Sequence, residues 1–157
     1  MSTPESSTLH SSGLDAIEEL RPVDVSPPQG LKERLDVLVA FSALLFVDGV
    51  MKLAGFQRFY RMLRSWPVRQ GRPPDVEAVA TTCSAVDRAA TYYFKRAWCL
   101  QRSATAVCLL RLRGVDAKLN IGVQKIPFYA HAWVEVDDEV VNDHPQVQKR
   151  YTVLERC

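Results

Sequence analysis

Apolar residues in the first half of the chain recur at helical spacing. In residues 31–66 they stand mostly three or four positions apart, and Gly49 or Gly55 could divide this stretch into two helices. These apolar residues are Leu35, Leu38, Val39, Leu45, Phe46, Val50, Phe56, Phe59, Tyr60 and Leu63. The most apolar part, Val37 to Val47, is too short to cross a bilayer, so we interpret it as a buried core helix.

Two further helices are predicted before Gly114. The first covers residues 75–97 and has Asp75 as its N-cap. Its inward-facing residues are expected to be Val76, Val79, Cys83, Val86, Ala90 and Phe94. The second begins at Cys99 and ends at Gly114, since glycine is typical of the position just after a helix.

After Gly114 the apolar residues change from helical spacing to alternation. The first alternating residues are Ala117, Leu119, Ile121 and Val123. The runs 129–136, 140–143 and 151–155 are also predicted to be strands, and the turn 137–139 joins the first two of them. Helices followed by an antiparallel sheet predict an α+β fold.

Residues 1–30 have a different composition from the remainder. They are rich in Ser, Thr, Pro and acidic residues and poor in aromatic ones, which predicts a flexible tail. We therefore expect one folded domain over 31–157, with its helical part at 31–113 and its sheet part at 115–157.

Composition limits the class of protein. The chain has 157 residues, of which 47% are hydrophobic and 24% charged, with a net charge of +2. These values are typical of a globular domain with no general affinity for polyanions. No phosphate loop, dinucleotide-binding turn or aromatic-interleaved basic sheet is present, so we expect no nucleic acid or membrane partner and no cofactor.

Cysteine usage indicates the compartment. No secretory signal is present, and the cysteines form no CxxC pair, so they predict reduced thiols in a cytoplasmic protein. They are Cys83, Cys99, Cys108 and Cys157.

The chain between Asp48 and Asp75 has no acidic residue but six basic ones. They are Lys52, Arg58, Arg61, Arg64, Arg69 and Arg72. A solvated helix face is the simpler interpretation. The alternative is a surface that meets an acidic peptide or protein partner.

Cys99, His131 and Asp143 occupy positions suited to thiol catalysis. A helix N-terminus and a nearby imidazolium can lower the pKa of a cysteine from about 8.5 to between about 3.5 and 7.5, and Cys99 opens its helix. His131 lies in a predicted strand and Asp143 ends the next one, so pairing across the turn would bring carboxylate and imidazole together. A nucleophile, a general base and an orienting carboxylate are therefore predicted.

Other assignments of these residues stay open. Each could be structural, as a buried thiol, a hydrogen-bonded core histidine or a turn-forming aspartate. His144 could replace His131 as the base, although its proline-flanked position indicates a surface loop. Glu135 could orient the base, but we expect it to face solvent. A metal site is not expected because paired short ligand spacings are missing; its four candidate ligands would be Cys99, Cys108, His131 and His144.

Five segments between Cys99 and Asp143 resemble one known family. They are Cys99-Leu-Gln-Arg-Ser, Leu109-Leu-Arg-Leu-Arg-Gly-Val, Leu119-Asn-Ile-Gly-Val, Pro127-Phe-Tyr-Ala-His-Ala-Trp-Val-Glu and Val141-Asn-Asp. The family is the lasso-peptide B protein, a transglutaminase-like cysteine protease that removes the leader from a ribosomally made precursor. The resemblance implies a papain-like or transglutaminase-like fold, with Cys99 as nucleophile, His131 as general base and Asp143 as its orienting group.

The resemblance also implies partners. The substrate would be the precursor peptide, and a separate ATP-using lasso cyclase is a further candidate partner. Some members carry a leader-recognition domain before the peptidase, and others obtain it as a separate protein. Because only a tail precedes the first predicted helix, we expect the split form with a separate leader-recognition protein. Two alternatives stay open, a transglutaminase-type acyl transferase and a catalytically idle peptide- or protein-binding module.

Overall fold

The computed structural model describes residues 30–66, 75–94 and 98–157. The elements in these ranges are α1 (Leu31–Leu53), α2 (Phe56–Arg64), α3 (Val76–Thr91), α4 (Cys99–Leu112), β1 (Ala117–Gln124), β2 (Tyr129–Val136), β3 (Glu139–Val140), α5 (Val147–Arg150) and β4 (Thr152–Arg156). Helices followed by strands confirm the α+β class. Except for Gly30, the predicted tail lies outside the described residues, as do residues 67–74.

The first helical stretch divides at Gly55, one of the two expected points. Gly55 has a φ of +83°, a backbone conformation that glycine adopts without steric cost, whereas Gly49 lies inside α1. The inner side of α1 packs against α3 and α4. The outer side is uncovered, and Phe46 there is 64% exposed. The interpretation of Val37–Val47 as a buried helix is therefore wrong for its outer side.

A helix that spans a bilayer must be both long and apolar, and none of the described helices meets both requirements alone. The pair α1 and α2 reaches them together, but the two helices are bent by 120° at the break.

Helix α3 begins at the predicted cap. The carboxylate of Asp75 accepts hydrogen bonds from two backbone N–H groups of the first turn, 3.1 and 3.3 Å away. The residues confirmed as buried are Val79, Cys83 and Val86. The inward orientation predicted for Val76 and Phe94 is wrong, since both are exposed. Val76 is the first helical residue, and Phe94 lies beyond the end of α3 at Thr91.

The four strands form one antiparallel sheet in the order β3-β2-β1-β4. Helix α4 packs against β1 and β2. Strands β2 and β3 are joined by Asp137 and Asp138, whose φ angles of 51° and 64° suit a two-residue hairpin turn of type I′. The sequence-predicted turn is therefore confirmed at Asp137 and Asp138, whereas Glu139 belongs to β3.

The third strand is shorter than predicted. Pairing with β2 is limited to Glu139 and Val140. The backbone N–H of Val141 still donates to the Val134 carbonyl at 3.0 Å, and the chain then leaves the sheet. Asp143 consequently lies in the loop after β3 and not at the end of a strand.

Candidate active site

Cys99 is the first residue of α4. Trp98 is the N-cap residue, and its carbonyl accepts the first helical hydrogen bond from the Arg102 N–H at 3.2 Å. The N–H groups of the first helical turn have no partners within the helix, so the thiol lies at the positive end of the helix dipole. Cys99 is half-buried, and the Trp98 side chain beside it is 63% exposed.

Alternation along β2 gives His131 its orientation. His131, Trp133 and Glu135 share one face of the strand, as alternate residues of a strand do. Ala132 and Val134 point the other way, into the core that α4 covers. The small Ala132 side chain allows α4 to approach the strand closely.

The three predicted site residues meet in one hydrogen-bonded row. The Cys99 thiol is hydrogen-bonded to His131, and His131 Nε2 lies 2.5 Å from Asp143 Oδ2. Because Nε2 faces the carboxylate, Nδ1 is the ring nitrogen left for the thiol. The other Asp143 oxygen accepts the backbone N–H of His144 at 2.7 Å, which fixes the carboxylate plane.

The loop that carries Asp143 is held by Asn142. Asn142 Oδ1 accepts the Val134 N–H at 2.6 Å, and its Nδ2 donates to Ser103 Oγ at 2.9 Å. Ser103 in turn donates to the Ala132 carbonyl at 2.8 Å. These bonds tie the loop to both β2 and α4. No pattern in the sequence indicated this role for Asn142.

Opposing effects set the pKa values in this row. Burial raises the pKa of the Cys99 thiol, but the hydrogen bond and charge of His131 and backbone bonds from Ala132 and Leu100 bring it below its ordinary value. Burial would lower the pKa of His131, yet hydrogen bonds and charges from Asp143 and Cys99 raise it to about 9. Burial raises the pKa of Asp143, whereas His131 and the His144 N–H lower it overall.

These shifts favour an ion pair. When the pH lies above the lowered pKa of Cys99 and below the His131 pKa of about 9, the sulfur is a thiolate and His131 is an imidazolium. A thiolate is the nucleophilic form of cysteine, and an imidazolium can give its proton to a leaving group. The arrangement can therefore perform acyl transfer through sulfur.

Aromatic rings surround the imidazole. The Trp133 ring lies almost parallel to the His131 ring, at 19° with centroids 6.3 Å apart. The centroid of the Tyr151 ring lies 5.2 Å from that of His131. Space for the indole depends on Gly122, the cross-strand partner of His131, because a Cβ there would lie 2.8 Å from the Trp133 ring. Tyr151 was not among the sequence-predicted site residues. It carries no local signal, because it reaches the site only where the folded chain passes from α5 into β4.

The expectation that Glu135 faces solvent is wrong. Glu135 is fully buried and accepts hydrogen bonds from Trp133 Nε1 at 2.8 Å and Gln148 Nε2 at 2.9 Å. It also forms an ion pair with Arg156, whose Nε donates to Asn120 Oδ1 at 2.8 Å. Residues from α5 and β4 cover this face of the sheet, so Glu135 holds the indole that packs on His131 and does not touch the imidazole.

The remaining candidates have other surroundings. His144 Nδ1 accepts the Gln146 N–H at 3.2 Å, a local bond in the turn before α5. Burial raises the pKa of the Cys108 thiol to about 11, and its charged neighbours are Arg111 and Cys157. Across residues 30–66, 75–94 and 98–157, no three His, Cys, Asp or Glu side chains are grouped to hold a metal.

Comparison with known proteins adds two findings. A sequence model described as the transglutaminase-like superfamily matches residues 43–156. Microcin J25-processing protein McjB of Escherichia coli is 43% identical over 56 residues, which are 36% of this chain and 27% of McjB. That stretch supports the resemblance to the lasso-peptide B protein, although it spans only about a quarter of the relative. No solved structure matches the chain significantly. Because the superfamily match covers well over half of its residues, the chain belongs to the transglutaminase-like superfamily.

Proposed function

We propose that this chain is a cysteine peptidase that removes the leader from a lasso-peptide precursor. The observation that carries the proposal is the hydrogen-bonded row of Cys99, His131 and Asp143 at the N-terminus of α4. Membership of the transglutaminase-like superfamily supports thiol chemistry. The partial similarity to McjB, a microcin-processing protein, supports a peptide precursor as the substrate.

The proposed reaction proceeds in two steps. The Cys99 thiolate attacks the carbonyl carbon at the leader–core junction, and the Cys99 backbone N–H is one donor to the developing oxyanion. The His131 imidazolium protonates the departing amine, so the core peptide leaves and the leader remains as a thioester. Neutral His131 then takes a proton from water, and the hydroxide releases the leader carboxylate and restores the thiolate–imidazolium pair. Asp143 holds the imidazole in position throughout.

Leader recognition is proposed to reside on a separate protein. The resemblance to the split lasso-peptide B proteins supports this assignment. The lasso cyclase would consume the core peptide, whose new N-terminal amine is the nucleophile for ring closure.

The test is cleavage of a candidate precursor by the full chain, followed by mass spectrometry. We expect a leader fragment and a core fragment, with faster cleavage when the recognition protein is added. Cys99→Ala should abolish cleavage, and Cys157→Ser, a half-buried cysteine elsewhere, should retain it. Equal rates with and without the recognition protein would refute the split assignment.

Two other results would redirect the proposal. A condensation product between the precursor and an amine, in place of a leader fragment, would identify an acyl transferase. Intact precursor bound by the chain without any Cys99-dependent product would identify an idle binding module. Both alternatives keep the same fold but change what the thiol does.

A further inference from the structure

The outer side of α1 carries a continuous row of apolar and small residues at alternating spacings of four and three. We call this row the α1 seam, and it consists of Leu31, Leu35, Leu38, Ser42, Leu45 and Gly49. Such spacing is that of the contact line of a coiled coil. Flanking apolar residues widen the seam, namely Val39, Phe46 and Leu53. The four leucines of the seam are between 42% and 77% exposed, so the described fold leaves them largely uncovered.

The C-terminal half of the seam contains two small residues, Ser42 and Gly49. Ser42 directs its hydroxyl to the Leu38 carbonyl of its own helix at 2.9 Å, so it presents little polar surface outward. A Cβ at Gly49 would have open space around it. These two small residues therefore leave gaps between the larger leucines, into which side chains of a second helix can pack.

Charge on α1 is divided between its two sides. The three carboxylates of the helix are engaged within the fold. Glu33 bonds to Arg88, Asp36 to Arg113 and Asp48 to Tyr93 and Lys52. Lys32 and Arg34 are exposed beside the start of the seam. The outer side is consequently apolar in its centre and cationic at its margin.

We propose that the α1 seam binds an amphipathic helix of a separate protein, whose own apolar row is bordered by carboxylates. Burial of the leucines would provide most of the binding free energy, and pairing with Lys32 and Arg34 would fix the register and orientation. An exposed apolar surface of this extent is typical of an interaction site. The proposal goes beyond the peptidase function and does not depend on what Cys99 does.

A second copy of this chain fits the seam less well. The carboxylates on α1 of a second copy are already bonded within its own fold, so they do not offer Lys32 and Arg34 an acidic row to pair with. The exposed cations of a second copy would add to the positive charge beside the seam. A separate partner with carboxylates beside its apolar row would instead attract Lys32 and Arg34.

Two other occupants are also disfavoured. Residues 14–20 carry Leu14, Ile17 and Leu20 among acidic residues, but seven residues span only about 10 Å as a helix, against about 33 Å for the seam and its extension to Leu53. An anionic bilayer would attract the cations, but helices that lie in a bilayer surface gain from bulky apolar residues along their whole length. The seam lacks bulky apolar side chains at Ser42 and Gly49.

The test uses the full chain and a synthetic helical peptide about as long as α1, with leucines at the same alternating spacing and glutamates on both flanks. A matched peptide carries lysines on the flanks. We expect the acidic peptide to bind, as followed by fluorescence anisotropy, and the basic peptide to bind at least about tenfold more weakly at low salt. Leu38→Asp should weaken the binding of the acidic peptide at least about tenfold. Val76→Asp, which alters an exposed residue on α3, and Cys99→Ala should leave its binding unchanged.

Several results would overturn the proposal. Equal binding of both peptides would show that charge does not select the partner. Unchanged peptide binding by a Leu38→Asp variant with an unaltered circular dichroism spectrum would show that the seam is not the binding site. A dimer that Leu38→Asp dissociates would assign the seam to a second copy. Peptide binding that appears only after Ile17→Asp would assign it to residues 14–20. Sedimentation with phosphatidylserine-containing vesicles, lost in Leu38→Asp and without peptide binding, would assign it to a membrane.

Discussion

The side chain of Asn142 replaces a strand partner for the backbone of Val134. Its Oδ1 accepts the Val134 N–H at 2.6 Å just beyond the point where β3 ends. Asp143 is the next residue, so this bond also determines where its carboxylate lies relative to His131. The geometry of the candidate active site therefore depends on a side-chain hydrogen bond in a loop.

Asn142→Ala should destabilise the fold by about 1–3 kcal/mol, because it leaves the Val134 N–H without its acceptor. The substitution should also slow any Cys99-dependent cleavage, since the loop that holds Asp143 loses its attachment to α4. Urea denaturation and the cleavage assay measure the two effects. Identical stability of Asn142→Ala and the unaltered chain would contradict this role.

Much of the fold could be predicted from the sequence because its signals are local. The cap of α3 at Asp75, the ends of α4 and the alternation of β1 and β2 each depend on residues within a few positions. The locations of Cys99 and His131 could be predicted for the same reason. Cys99 is the first residue of a helix and His131 lies on one face of a strand, and both features depend on neighbouring residues. The contact between them required only that α4 pack on β2.

The errors concern surfaces whose partners are distant in sequence. Glu135 was expected in solvent because it has the alternation of an outward residue, and its burial depends on Gln148 and Arg156 from later elements. The outer side of α1 was expected in the core because it is apolar, yet no described element covers it. Hydrophobic periodicity identifies an element but does not say which of its faces receives a partner.

Gly122→Ala should destabilise the fold by about 1–3 kcal/mol. A Cβ at this position would lie 2.8 Å from the Trp133 ring and 3.0 Å from the Thr152 carbonyl oxygen, and neither the buried indole nor the backbone can move freely. Displacement of the indole should also disturb His131, its neighbour on β2. Thermal denaturation with the cleavage assay tests both effects.

Gly49→Ala is the matched control for Gly122→Ala. Gly49 lies inside α1 with open space where its Cβ would be, and alanine is favoured over glycine in a helix by about 1 kcal/mol. We therefore expect opposite signs, with Gly49→Ala raising the melting temperature and Gly122→Ala lowering it. A shift of the same sign in both variants would show that packing against Trp133 is not the cause.

Asp143→Asn should lower the pKa of His131 from about 9, because it removes the negative charge that stabilises the imidazolium. The alkaline limit of activity should move to lower pH, as measured by the pH dependence of kcat/KM. Asp138→Asn alters an exposed carboxylate in the hairpin turn and should leave that limit in place. An unchanged limit in Asp143→Asn would mean that another group sets it.

The same pKa shift predicts a pH dependence of stability. His131 has a pKa of about 9 in the folded chain, against about 6.5 in an unfolded chain. Its contribution to stability is therefore complete below about pH 6.5 and is lost as the pH rises through about 9. Urea denaturation between these limits should show a smaller loss of stability in Asp143→Asn than in the unaltered chain. Parallel pH curves for the two proteins would contradict the coupling.

Cys99 should react with iodoacetamide at about pH 6 well ahead of Cys108, because its pKa is below its ordinary value and that of Cys108 is about 11. A pKa difference of at least about two units gives about a hundredfold difference in the fraction of each thiol present as thiolate. Because a more acidic thiol is a weaker nucleophile, the expected difference in labelling rate is about tenfold. Peptide mass spectrometry of the labelled chain measures the order of reaction.

His131→Ala should abolish this preference. Without the imidazole, burial becomes the dominant effect on Cys99 and raises its pKa, so labelling should become efficient only at higher pH. His144→Ala is the control, since the ring of His144 bonds to the Gln146 N–H and not to the thiol. If His144→Ala slowed labelling as much as His131→Ala, the base would have to be reassigned to the loop before α5, and the row from Cys99 through His131 to Asp143 would lose its catalytic interpretation.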